Sequence, residues 1–410
     1  MKQLPNDELA GLCVNPCFMV MAALLSAIAL GGTAIHAEPS VSFAENESAS
    51  LLPTSSTLLQ KPSTEKVRSG STGLELARPS SLVGSTMPAS NSMSAGSIQS
   101  ADAIGAMFPK PASLSAEVQG DRLWLLSTRH MTSAACRANL RNPNFQFNRL
   151  DRCGRRSSSD LGDYLSTMTT DRPRIIYIHG NRRDAPTAIS QGLWVYRQIA
   201  SRRPNNQPFD WVIWSWPSDA ESVLISDARK KAQKTDAQGL YVAWLLTQHH
   251  AHAQPTSLIG FSFGARVVSG SLHALAGGTV GRRSLDQPAI TGANFDVGLL
   301  APAVDNTWMS SCGQHRYANQ NINEMVMLYN KRDIALKYFR FISGNSNAKA
   351  LGCTGPRYMA PRHDGTRLPI RARDCASTVG NHHSEQQYYK NSCYAGREMA
   401  SLISSSLIVH

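Results

Sequence analysis

The stretch S-L-I-G-F-S-F-G-A-R-V-V, residues 257–268, sets Ser262 between Gly260 and Gly264, where an apolar run ends and a helical pattern begins. A hydroxyl in such company needs a reason. Two glycines at a strand-to-helix turn let the chain reverse sharply and pack closely. The turn lifts the serine clear of the strand, and the helix start offers free N–H groups to a developing oxyanion. The chemistry that fits is nucleophilic attack on an acyl carbon. The competing reading is a serine that merely satisfies a local turn; the strand-like residues before it and the helical residues after it favour the nucleophile.

A serine hydroxyl needs a base, and the base needs an acid to orient it. Downstream stand His273, His315, His363, His382, His383 and His410. His273 falls in the helix after the serine and reads as a surface or core residue. His382 and His383 occupy a loop-like segment, V-G-N-H-H-S-E-Q-Q-Y-Y, before a closing helix, so one of this pair is the expected base. Two aspartates are candidates for the acid, Asp305 at the end of A-P-A-V-D and Asp333 at the end of Y-N-K-R-D. Arg182 and Arg183, after the H-G-N turn at 179–181, are candidates to hold a carboxylate or phosphate of a substrate, and equally suit a solvated loop. His179 is expected to shape that turn; nothing is spaced to share a metal with it, and no metal or cofactor is expected.

These residues need a scaffold. Short β-rich runs are expected at 121–129, 172–181, 209–218, 256–262, 294–305 and 323–333, with a long helical segment at 220–250 whose Leu240, Ala243, Trp244 and Leu246 share a face. Continuous apolar strands separated by helices indicate parallel strands buried on both faces, and such sheets collect chemistry at the strands' carboxyl ends. Trp211, Trp214 and Trp216 are expected on one face of their strand, as core or pocket wall.

The remainder of the 410 residues is organised differently. Residues 17–37 form an apolar run ending in small residues, expected to be a secretory signal cut after Ala37 or an uncleaved membrane anchor. Residues 38–119 are rich in Ser, Ala, Thr, Pro and Gly without period, which predicts a disordered tether. The folded domain is expected over 120–410. Net charge is +12, rising to +13 once the lone Lys and two acids of residues 1–37 are removed. The cations are dispersed without a nucleic-acid motif, so no nucleic-acid partner is expected; a basic surface suits an anionic envelope or substrate. Beyond the signal stand Cys136, Cys153, Cys312, Cys353, Cys375 and Cys393, an even set in an exported chain, which predicts disulfides. Cys136 with Cys153 and Cys375 with Cys393 are the expected pairs, because short loops cost least to close.

From about residue 123 to the carboxyl end, the order strand, H-G-N, strand, G-F-S-F-G, strand, strand-Asp, loop-His resembles the α/β-hydrolase superfamily. Y-I-H-G-N-R-R-D-A, W-S-W-P-S, D-A-R-K-K-A and L-L-A-P-A-V-D are similar to a poorly characterised group of bacterial α/β hydrolases. The resemblance implies an α/β-hydrolase fold, a mostly parallel central sheet with helices on both faces. It implies Ser262 as nucleophile, Asp333 as acid, His383 as base, and the backbone N–H groups of Phe263 and Asn181 as the oxyanion hole. The H-G-G-G run of typical lipases is missing. The expected function is an exported or envelope-associated serine hydrolase acting on a small-molecule or lipid-like ester, with amide hydrolysis less favoured. The other class is an inactive fold used for binding at an anionic envelope surface; retention of all three triad residues favours the enzyme, since fold likeness alone does not decide activity.

Overall fold

The computed structural model describes residues 120–405, apart from 223 and 391. The expected signal or anchor and the tether lie outside the described residues. Nine strands make one sheet in the order β3-β2-β1-β5-β4-β6-β7-β8-β9. They are β1 Arg122–Ser127, β2 Gln146–Leu150, β3 Arg156–Ser159, β4 Arg174–Ile178, β5 Asp210–Ser215, β6 Thr256–Phe261, β7 Phe295–Leu300, β8 Ile322–Tyr329 and β9 Ile370–Asp374. All neighbouring pairs from β1 to β9 run parallel; β2 and β3 add an antiparallel edge. The principal helices are α1 Leu161–Ser166, α2 Ala185–Ala200, α3 Leu224–Ala251, α4 Phe263–Leu275 and α5 Ala395–Ser405.

Strands β4, β5, β6 and β7 are buried at every position, as parallel strands covered on both faces must be. Alternation on β5 identifies the two helical layers. Trp211 meets Tyr196 of α2, and a Cβ on Gly192 of α2 would strike Ile213; Trp214 instead donates its Nε1–H to Gln238 of α3 at 3.0 Å. The three tryptophans therefore do not share a face. All are fully buried, but Trp211 is three residues from Trp214, and a pleat of period two sends those side chains to opposite layers. The expected wall is thus two separate core contacts.

Strand register is fixed at the amino ends by charge. Asp210 of β5 pairs in register with Arg122 of β1 and Arg174 of β4, and its carboxylate accepts from Arg122 Nε at 2.6 Å and Arg174 Nη2 at 2.7 Å. Both Arg174 and Asp210 are fully buried, and breaking such a pair leaves an uncompensated charge worth about 3–5 kcal/mol. This cluster lies at the opposite end of the sheet from the strand ends that carry the site.

The antiparallel edge and β9 were not among the expected strands. β3 is R-S-S-S, exposed at all but its last position, and β9 is I-R-A-R-D, half-buried only at its ends. Edge strands bury one face or none and so lack the apolar run by which a strand is recognised.

Candidate active site

The elbow forms as the glycines require. Ser262 follows β6 directly and precedes α4, with φ 54° and ψ −115°, a conformation that costs a non-glycine residue on the order of 1–3 kcal/mol. The surroundings hold it there: Ser262 N–H donates to Leu300 O at 2.9 Å, and its carbonyl accepts from Ala303 and Ala265 at 3.1 Å each. A Cβ on Gly264 would stand 2.0 Å from Ile178 O, and one on Gly260 would stand 2.6 Å from Ala265 N. Both positions exclude a side chain because helix, elbow and β4 touch.

Asp333 lies four residues beyond β8, and its Oδ1 accepts from Leu336 N–H at 3.0 Å, capping the short helix Ile334–Lys337. Its other oxygen, Oδ2, is 2.6 Å from His383 Nδ1, and His383 Nε2 is 2.8 Å from Ser262 Oγ. The three residues that the resemblance implied are thus joined in one hydrogen-bonded chain. Asp333 is fully buried, while the His383 side chain is 15% exposed and its ring lies over Phe261. Asn330 links the turns that carry Asp333 and His383, donating its side-chain N–H to Gly380 O at 2.9 Å, and Ile334 N–H donates to Asn381 O at 3.2 Å.

His382 is exposed and Asp305 engages its own loop. The carboxylate of Asp305 accepts from the backbone N–H and hydroxyl of Thr307 at 2.9 and 2.7 Å, five residues past the end of β7. His273 is a core residue, its ring stacked on Tyr317.

The H-G-N turn is built around His179. Trp216 N–H donates to Nε2 at 3.3 Å, so the proton sits on Nδ1, which faces Gly180 O at 2.9 Å. Burial lowers this imidazole to about 3, and a permanently neutral ring shapes the turn. Asn181 follows it, facing the same cavity as Phe263, the first residue of α4, whose N–H has no partner within the helix. Among the described residues no group of three or more His, Cys, Asp or Glu side chains is arranged to hold a metal ion.

That cavity, about 180 Å³, is lined by Ser262 and His383 together with the apolar Ile225, Ala228, Leu336, Phe341 and Ile342. Its apolar wall comes from the start of α3 and from the two short helices after Asp333, Ile334–Lys337 and Phe339–Ser343; Arg229 Nε–H ties the wall to α3 by donating to Phe341 O at 2.7 Å. Sequence reasoning did not single out this wall, although I-A-L-K-Y-F-R-F-I carries its apolar signal. Arg182 also fronts the cavity, 3.5 Å from an Asp227 already shared with Lys231. Arg183 Nε is engaged by Gln191.

The expected cysteine pairs fare differently. All six are thiols here. Cys375 and Cys393 are both buried and hydrogen-bonded to each other, whereas Cys136 and Cys153 are exposed.

Comparison with known proteins follows this geometry. The structure is similar to esterase B from Lactobacillus rhamnosis inhibited by a tributyrin phosphonate (12% identity, 72% of this chain and 88% of that one, TM-score 0.33). It is also similar to acyl-protein thioesterase 2 of Zea mays (14% identity, 58% and 95%, TM-score 0.31). No curated protein matches the chain. Residues 157–379 match the family described as alpha/beta hydrolase of unknown function (DUF900), a span that includes the elbow and Asp333 and ends four residues before His383. The parallel sheet, the serine at its elbow and this match over more than half the chain have one consequence: the protein belongs to that alpha/beta hydrolase family.

Proposed function

We propose that the protein is a serine esterase, exported or held at the cell envelope by its amino-terminal segment, that works through an acyl-enzyme. One observation carries the reading: the unbroken hydrogen-bond chain from Asp333 through His383 to Ser262, whose last two members line a cavity with an apolar wall. His383 Nε2 takes the Ser262 proton as Oγ bonds to the acyl carbon, and Asp333 stabilises the imidazolium. The N–H groups of Phe263 and Asn181 receive the oxyanion. Collapse breaks the ester C–O bond, and His383 returns the proton to the departing alcohol. Water, deprotonated by the same imidazole, then releases the acid from Ser262. The apolar wall suits the acyl chain, and Arg182 suits an anionic group at the cavity mouth. Export is supported by the apolar run at 17–37 and by the even cysteine set.

The test is labelling by a fluorophosphonate probe. Wild type is expected to be labelled on Ser262 and Ser262→Ala to be unlabelled; equal labelling of the two, or none of a folded wild type, overturns the reading.

A further inference from the structure

Two residues past the base stands Glu385, fully buried at the start of the short helix Glu385–Tyr388. Its Oε2 accepts from Tyr177 Oη at 2.8 Å and from Gln191 Nε2, while Oε1 is buried without a hydrogen-bond partner among the described residues. Tyr177 belongs to β4, whose end leads into the H-G-N turn, and Gln191 belongs to α2, which begins just after that turn. Gln191 is fully buried as well, and its Oε1 accepts from Arg183 Nε. Arg183 is itself fastened: its carbonyl accepts from Ser218 Oγ at 3.0 Å and from Arg129 Nη2 at 2.8 Å.

A buried carboxylate is expensive, and an unpartnered oxygen makes it more so. A glutamine or an apolar residue would cost less if filling space were the only task. The connections state what the carboxylate does beyond filling space. One side of the base turn is tied to the acid turn through Asn330; the other side is tied, through Glu385, to β4 and to the turn that carries the oxyanion donor.

We infer that Glu385 is a positioning residue for His383: through Tyr177 it fastens the base turn to strand β4, and through Gln191 and Arg183 it fastens that turn to the oxyanion turn. One carboxylate thereby sets the spacing between base and oxyanion donors. The inference rests on the triad assignment proposed above. The groups facing Glu385 are Tyr177 from β4, Gln191 from α2, Arg183 from the oxyanion turn, and His383 and Tyr389 from its own segment. Burial pushes the carboxyl up to about 7, against the pull of Tyr177, Arg183, Gln191 and His383. Both tyrosines are held well above their ordinary range by burial and stay neutral.

The experiment compares full-length wild type, Glu385→Gln, Glu385→Ala, Tyr177→Phe and Ser262→Ala in hydrolysis of p-nitrophenyl butyrate, with folding followed by circular dichroism. Glu385→Ala is expected to lower kcat by about 10- to 100-fold with KM within about twofold, the scale on which a misplaced base acts. Glu385→Gln should recover most of that kcat, since an amide still bonds Tyr177. Recovery of kcat by the amide with KM unchanged is the readout that a merely structural residue would not give. Tyr177→Phe should lower kcat severalfold; it carries the positioning test alone should the Glu385 variants fail to fold. A merely structural Glu385 would lower stability and leave kcat of the folded variants unchanged. Wild-type kcat in folded Glu385→Ala or in Tyr177→Phe, or a folded Glu385→Gln no more active than Glu385→Ala, overturns the inference. If Ser262→Ala hydrolyses as fast as wild type, the triad reading itself has failed, which is a separable result.

Discussion

The carboxylate of Asp333 reaches His383 with one oxygen and caps a helix with the other. The cap fixes the rotamer, so the oxygen facing Nδ1 is set before any substrate arrives, and the imidazole is held in the tautomer that leaves Nε2 free to accept from Ser262. Asp333→Asn retains the cap and reverses the polarity toward the ring. Turnover of that variant is expected to fall by up to about 10⁴-fold, with folding unchanged by circular dichroism. Asp305→Asn should stay within about tenfold of wild type, the scale of a weakened local hydrogen bond, because the Asp305 carboxylate is engaged by the backbone N–H and hydroxyl of Thr307 in its own loop. A dead Asp305→Asn beside an active Asp333→Asn would transfer the acid's role.

The two adjacent histidines are separated by exposure and contact. His382 is exposed and its carbonyl, not its ring, meets Asn330 at 3.4 Å. His383→Ala is expected to abolish ester hydrolysis, leaving the residual provided by the oxyanion donors and binding, while His382→Ala keeps near wild-type turnover. The reverse pattern in steady-state kinetics would assign the base to His382.

Much of this site was legible because its chemistry depends on sequence-local devices. Gly260 and Gly264 are required by backbone approach, and the all-apolar β4 to β7 by burial on both faces, so both leave marks in the residues themselves. Asp333 over Asp305 was available only through resemblance: each follows a parallel strand, and which one meets the base is decided by the path of the chain after β7 and β8. Glu385 was illegible for another reason. Its partners, Tyr177 and Gln191, are 208 and 194 residues away, and no local pattern announces a contact of that span. The tryptophans were misread through arithmetic of the pleat, since a spacing of three cannot keep one face.

The elbow's tolerance for atoms is testable. Gly264→Ala would place a methyl 2.0 Å from the backbone oxygen of Ile178, an obstruction that no rotamer relieves. Overpacking of this kind costs about 1–3 kcal/mol or more. The urea midpoint should fall accordingly and hydrolysis should drop sharply, because any relief displaces the nucleophile. Wild-type activity in Gly264→Ala would contradict the packing described here.

Cys375 and Cys393 bracket the segment that carries His383 and Glu385. The hydrogen bond from Cys375 draws the Cys393 thiol below its ordinary value, which favours the thiolate needed for exchange with an external disulfide. In protein purified from an oxidising compartment, peptide mapping without reduction is expected to find this pair cross-linked, and reduction should cost about 3 kcal/mol for a loop of this length. Full alkylation of both thiols in such material would exclude the bond.

The buried histidines set the response to acid. His179 is lowered to about 3 and His273 to about 4, and His249 and His315 lie well below their ordinary value, all chiefly through burial. Below pH of about 6.5 the unfolded chain binds protons at these positions that the folded chain refuses. Each histidine therefore contributes stability that is present above that pH and is lost at up to about 1.4 kcal/mol per pH unit as pH falls. Two buried carboxyls act oppositely: Asp296 and Glu385 are both raised to about 7, so the folded chain keeps protons that the unfolded chain has shed. Between roughly pH 6.5 and 4.5 these two offset two of the four histidines, leaving a net slope of about two protons. Unfolding midpoints in urea should thus decline from pH 7 to pH 5, and Asp296→Asn, which removes one offset, should steepen the decline by about one proton. Equal midpoints at pH 7 and pH 5 in the wild type would mean that these histidines are not held neutral in the fold.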